Sequence, residues 1–69
     1  MSKNLESQIL EFVQNRYKNG ESTATRHVHI RFDIEISQAE EILEKLTAKG
    51  FVAKSYDKEY QETRYSKKQ

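Results

Sequence analysis

Two histidines one residue apart, His27 and His29, have side chains able to do chemistry at a suggestive spacing. On a strand they would share a face and could begin a metal site, whereas on a helix residues two apart diverge. No third ligand stands near them and the chain has no cysteine, so the expectation is no metal and no cofactor. No nucleophile elbow, glycine-rich phosphate loop or metalloprotease motif occurs, which leaves an enzyme the least supported class. A second set of residues suits nucleic acid better. Among Ser37, Gln38, Glu41 and Lys45, the glutamine can pair with adenine, the glutamate can accept from cytosine, and the lysine can reach a base or a phosphate. Lys54, Lys58, Arg64, Lys67 and Lys68 are interleaved with Tyr56, Tyr60 and Tyr65, a pattern suited to a phosphate backbone, and Arg26 and Arg31 extend it. The competing account is a solvated surface, with intrahelical pairs such as Glu41–Lys45 worth only ~0.3–0.5 kcal/mol. Glu41 and Glu44, moreover, repel phosphates.

These side chains must be positioned by a single small domain, residues 1–69, with an ordered core over about 4–66 and a basic, frayed tail at 66–69. At 69 residues the core is thin, because chains this short bury only about 60% of their unfolded surface. No disulfide can help, so a homodimer is expected to add stability. Neither a membrane span nor a signal-peptide core is present, and a cytoplasmic location is the expectation. The net charge is only +1, but its distribution is uneven. Residues 1–36 carry five basic and five acidic side chains, whereas the last nineteen residues carry five basic against three acidic.

The element that organises the chain lies between Ile34 and Val52. Ala39, Ile42, Leu43 and Leu46 recur at helical spacing and form one apolar stripe. Ser37 is expected to cap this helix, with Glu40 completing a capping box, and Gly50 to end it in the left-handed conformation. Opposite the stripe, helical geometry exposes Ser37, Gln38, Glu41, Glu44, Lys45 and Ala48. An earlier helix is expected over residues 4–18, from Leu5, Ile9, Phe12, Val13 and Tyr17, with Leu10 widening the stripe. Asn4 or Ser2 can cap it, and Asn19-Gly20 stops it. The width of this stripe makes the first helix the expected dimer surface. Towards the C-terminus, residues 51–56 and 60–66 read as two strands around a polar turn at Asp57-Lys58-Glu59.

Residues 24–36 admit two readings. From His27 to Ile36 polar and apolar residues alternate strictly, which is the period of a half-buried strand. The alternative is a short helix over 24–32, with Val28 and Phe32 at i and i+4, closed by a turn at Asp33. Periodicity alone favours the strand.

A helix ending in Leu43, Leu46, Lys49, Gly50, Phe51 and Val52 resembles the third helix of winged helix-turn-helix domains. The likeness extends over residues 5–66. Val28, Phe32, Asp33 and Ile34 stand in the register of that family's second helix and turn, and Leu43 follows Ile34 by nine residues. Thr63-Arg64-Tyr65 is similar to the returning wing strand, whose tyrosine packs inward beside the third helix. The chain departs from the pattern at His29, where the family has a small residue, and at Asp33, which replaces the turn glycine. The resemblance implies the helical reading of 24–32 and a mainly α fold of three helices followed by a two-stranded wing. It also implies binding of double-stranded DNA by a small transcriptional regulator or DNA-maintenance protein, with the third helix in the major groove and the wing on the backbone. A winged-helix module that docks a protein partner through its acidic third helix is the alternative.

Overall fold

The computed structural model describes residues 4–68. The elements in chain order are α1 (Leu5–Lys18), β1 (Thr23–Ala24), α2 (Thr25–Phe32), α3 (Ile36–Ala48), β2 (Val52–Asp57) and β3 (Glu62–Lys67). Three helices thus pack with a three-stranded antiparallel sheet of order β1-β3-β2, a mixed α/β arrangement. The sheet corrects the expectation of a mainly α fold with a two-stranded hairpin. Thr23 and Ala24 pair with Tyr65 and Arg64, so the free edge of β3 gains a third strand. That pairing satisfies backbone groups that would otherwise lie buried beside the core, where Thr23 and Ala24 are themselves buried.

α1 begins where Asn4 Oδ1 accepts the Ser7 N–H at 2.8 Å. Ser2, the other candidate cap, lies outside the described residues. The helix stops at a glycine for a geometric reason. Gly20 has φ +79°, which lets its N–H reach the Tyr17 carbonyl at 2.9 Å and the Glu21 N–H reach the Arg16 carbonyl at 3.0 Å. Gly50 ends α3 the same way at φ +84°, with Gly50 N–H on the Thr47 carbonyl and Phe51 N–H on the Leu46 carbonyl, both at 3.0 Å.

Residues Thr25–Phe32 form the helix, so the strand suggested by alternation is not made there. The helix buries Val28 completely and sets Phe32 edge-on against Phe12 of α1, ring centroids 5.6 Å apart. Asp33 supplies the turn, taking the left-handed conformation at φ 54°, ψ 49°. Short polar side chains tolerate that region better than others do. The Ile34 N–H then reaches the His29 carbonyl at 3.3 Å, while the His29 ring, through Nδ1, hydrogen-bonds the Ile34 carbonyl. His29 therefore fills its place in the turn as a clasp.

Ile34 and Glu35 alone separate Asp33 from α3, and this short link moves the helix start. The Ala39 N–H already bonds the Glu35 carbonyl at 2.9 Å, so Glu35 is the capping position, without a side-chain cap, and Ser37 lies inside the first turn. The expected Ser37–Glu40 capping box is not formed. The stripe itself is as expected: Ala39, Leu43 and Leu46 are buried, and Ile42 is partly buried against them. They share the core with Ile9, Val13, Val28, Val52 and Tyr65.

The hairpin is shifted towards the C-terminus of its expected place, and its turn sits later. β2 begins at Val52, Asp57 pairs with Glu62, and the turn comprises residues 58–61. Asp57 Oδ1 accepts the N–H groups of Glu59 (2.9 Å) and Tyr60 (3.2 Å), and Gln61 closes the turn at φ 53°. At the other end, Lys67 pairs with Val52 and the Lys68 N–H meets the Phe51 carbonyl at 3.4 Å. Residues 66 and 67 belong to the sheet, where the sequence leads one to expect fraying. Gln69 lies outside the described residues.

Candidate nucleic-acid interface

The four candidate base-reading residues fall on one helix. Ser37, Gln38, Glu41 and Lys45 are all exposed on α3, turned away from the Ala39/Leu43/Leu46 stripe. No Glu41–Lys45 ion pair is formed among the described residues, and both side chains are exposed. Glu44 corrects the expected face. It is partly buried, and its Oε2 accepts the Tyr65 hydroxyl at 2.6 Å and Lys54 Nζ at 2.9 Å. Its charge is therefore matched inside the molecule and does not stand free at the centre of the face.

This three-way contact fixes the hairpin to the helix. Tyr65 and Lys54 are cross-strand partners, so they leave the sheet on one face and meet the same carboxylate. The Tyr65 ring packs inward, 2% exposed, as the likeness of Thr63-Arg64-Tyr65 to a wing strand implies. Burial and then the Glu44 bond push the phenol well above its ordinary pKa. The same bond, with help from Lys54, holds the Glu44 carboxyl below its ordinary value.

The seven candidate backbone contacts divide into two kinds. Arg26, Lys54 and Arg64 are engaged within the molecule. Arg26 forms a two-pronged contact with Glu62, Nε to Oε1 at 3.0 Å and Nη2 to Oε2 at 3.1 Å, which raises the guanidinium's pKa and lowers that of Glu62. Arg64 is the more deeply set, its side chain 13% exposed. Its Nη1 donates to Ser22 Oγ at 3.1 Å, and its guanidinium lies over the Tyr60 ring, 5.4 Å from the centroid. Arg64 Nε is 2.7 Å from Glu62 Oε2 but off the N–H direction, an ion pair without a well-directed hydrogen bond. Arg31, Lys58, Lys67 and Lys68 are exposed, as Arg26 and Lys54 also are; Arg31 lies across the Phe32 ring at 5.2 Å.

The two histidines are separated by use. His27 Nδ1 accepts the Ala24 N–H at 2.9 Å at the start of α2, and His29 serves the turn. No group of three or more potential metal ligands converges among the described residues. None of the described helices is long and apolar enough to cross a membrane.

Sequence reasoning does not find Glu62 or the second role of Glu44. Glu62 has a signal, since it shares a strand face with Arg64 two residues on. Glu44 has none, because its partner Tyr65 lies twenty-one residues away. No known protein family matches the chain, and neither a curated protein nor a solved structure matches it.

Proposed function

We propose that the chain is a winged helix-turn-helix protein that binds double-stranded DNA as a small transcriptional regulator or DNA-maintenance protein. α3 enters the major groove and the β2–β3 hairpin lies along the backbone. The observation that carries this reading is the second helix of a tightly turned pair, presenting Ser37, Gln38, Glu41 and Lys45 together on its exposed face. Such a helix reads base edges while helix N-termini and basic side chains hold phosphates. The Glu44–Tyr65–Lys54 clamp supports it further by setting the hairpin at a fixed angle to α3.

A second reading has its own observation. Glu40 and Glu41 are exposed on α3 close to Ile36, whose side chain is half exposed at the helix start. An acidic face with an apolar end suits a basic protein partner docked on the same helix.

A gel shift with short duplexes, repeated across salt concentrations, separates the two. Lys58→Ala, or removal of Lys67 and Lys68, should weaken all duplexes alike and flatten the salt slope by about one unit for each phosphate no longer held. Gln38→Ala and Glu41→Ala should change which sequences bind, each base contact being worth ~1–3 kcal/mol at one position. If wild-type protein shows no salt-dependent duplex binding, the docking reading replaces this one.

A further inference from the structure

A cleft of about 400 Å³ lies between the end of α1, the start of α2 and the far side of β3. Arg16, Arg26, His27 and Arg64 line it, with the Tyr60 ring on one wall and Ser22 beneath. Each element brings its cation for a local reason. Arg16 is anchored by Nε on Thr23 Oγ1 (3.0 Å) and by Nη2 on the Ser22 carbonyl (2.8 Å). Arg64 approaches the same serine from β3, and Arg26 is held by Glu62.

These anchoring bonds do not use up the donors. A guanidinium has five N–H groups. Arg16 Nη1 lies 3.9 Å from Glu21 and Arg64 Nη2 3.9 Å from Asp57, both beyond hydrogen-bond reach. Arg26 binds Glu62 through Nε and Nη2, which leaves Nη1. The His27 tautomer is fixed as well: Nδ1 accepts from Ala24, so the neutral ring carries its proton on Nε2 and that N–H is a donor. The Glu21 carboxylate also lines the cleft, its side chain 57% exposed, while Glu62 and Asp57 approach the arginines from outside that lining. His27 responds to burial and to these charges together. Burial first, then Arg16, Arg26 and Arg64, hold its pKa below the ordinary value, outweighing Glu62.

We propose that this cleft is an oxyanion site that takes a phosphate group. Three guanidiniums and an imidazole N–H surround it, and the Tyr60 ring offers a stacking face beside it. The chemistry fits a phosphate monoester or diester in particular, because guanidinium forks match its oxygens in pairs. The phosphate can belong to a free small molecule or to a nucleic-acid backbone. The site does not depend on α3 reading bases, so it stands or falls separately from the DNA reading.

The test is a two-dimensional NMR titration with inorganic phosphate at constant ionic strength, using chloride to balance. Saturable shifts are expected at the Ser22 and His27 amides and the arginine Nε–H signals, with the His27 pKa rising as phosphate fills the cleft. Arg26→Ala should weaken the apparent affinity roughly tenfold, the scale of one charge-assisted hydrogen bond. Glu62→Gln should tighten it, because a competing carboxylate is removed while the fold's neutral contacts remain. A second titration in the presence of a short duplex distinguishes the sources. Competition assigns the site to a backbone phosphate, and independence assigns it to a free oxyanion. Shifts that chloride alone reproduces, or that neither variant alters, overturn the proposal.

Discussion

His27 illustrates how one side chain can carry a structural and an electrostatic role together. Its Nδ1 must stay unprotonated to accept the Ala24 N–H, and burial with three neighbouring arginines favours that neutral form. The folded-state pKa therefore lies below the unfolded value of about 6.5. Between the two values the unfolded chain binds more protons, so stability rises with pH there. The contribution is complete above about 6.5 and is lost as pH falls through the lowered folded value. Urea unfolding measured from pH 7.5 down to 5 should show this slope, and His27→Gln should flatten it. Parallel pH profiles for the two proteins would remove His27 from the account. Further into acid, Glu44 and Glu62 act in the same direction for a different reason. Their carboxyls are held low by Tyr65 and Lys54, and by Arg26, so their contribution is present above the ordinary carboxylate pKa and lost as pH falls through the folded value.

At the scale of elements, the α2–α3 link is the part most exposed to a single backbone choice. Asp33 sits at φ 54°, where a β-branched residue is strained by ~1–2 kcal/mol. Asp33→Val should lower the unfolding free energy by about that amount, whereas Asp33→Gly should be neutral or stabilising. Equal losses for both would show that the aspartate side chain, not its conformation, holds the turn. Packing sets a larger scale for α3: Leu43 is fully buried, and Leu43→Ala should cost ~2–5 kcal/mol, enough to unfold much of so small a domain. A melt displaced by a degree or two would contradict that. These elements also show what is legible in the sequence. The α3 stripe and the Gly20 and Gly50 stops each leave a local mark, a period or a residue that tolerates positive φ, whereas the inward Tyr65 is legible only through the likeness of Thr63-Arg64-Tyr65 to a wing strand. β1 leaves none, because two residues have no period and their partners in β3 lie forty or more positions later. The start of α3 is misplaced by sequence reasoning because Ser37 is a good cap by type, while the shortness of the Asp33–Glu35 link decides where the ladder begins. In α2 the alternation of polar and apolar residues is real but has no neighbouring strand to pair with, and the packing of Val28 and Phe32 wins.

At the scale of the whole molecule, charge limits what one copy can do. With a net charge of +1, and with the charges of Arg26 and Arg64 offset by Glu62 and that of Lys54 by Glu44, a single chain offers a duplex little net positive charge. Tight binding under the DNA proposal therefore calls for two copies, each holding a half-site. The first helix is the surface expected for such pairing because its apolar stripe is wide. Much of that stripe is taken up within one chain: Ile9 and Val13 are fully buried, and Leu5, Leu10 and Phe12 pack partly against the core. What remains for a partner is small, so pairing through α1 should be weak in the free protein and should appear when DNA brings two copies together. Sedimentation velocity is expected to show a monomer at micromolar concentration, and two copies on a duplex recovered by selection from random sequence. The selected sequence should be palindromic, with half-sites about one helical turn apart. One copy per duplex at full affinity, on a sequence without two-fold symmetry, would sink the dimer. Recognition would then rest on the single α3 face, and the exposed cations of one copy, Arg31, Lys45, Lys58, Lys67 and Lys68 among them, would have to supply the whole salt dependence.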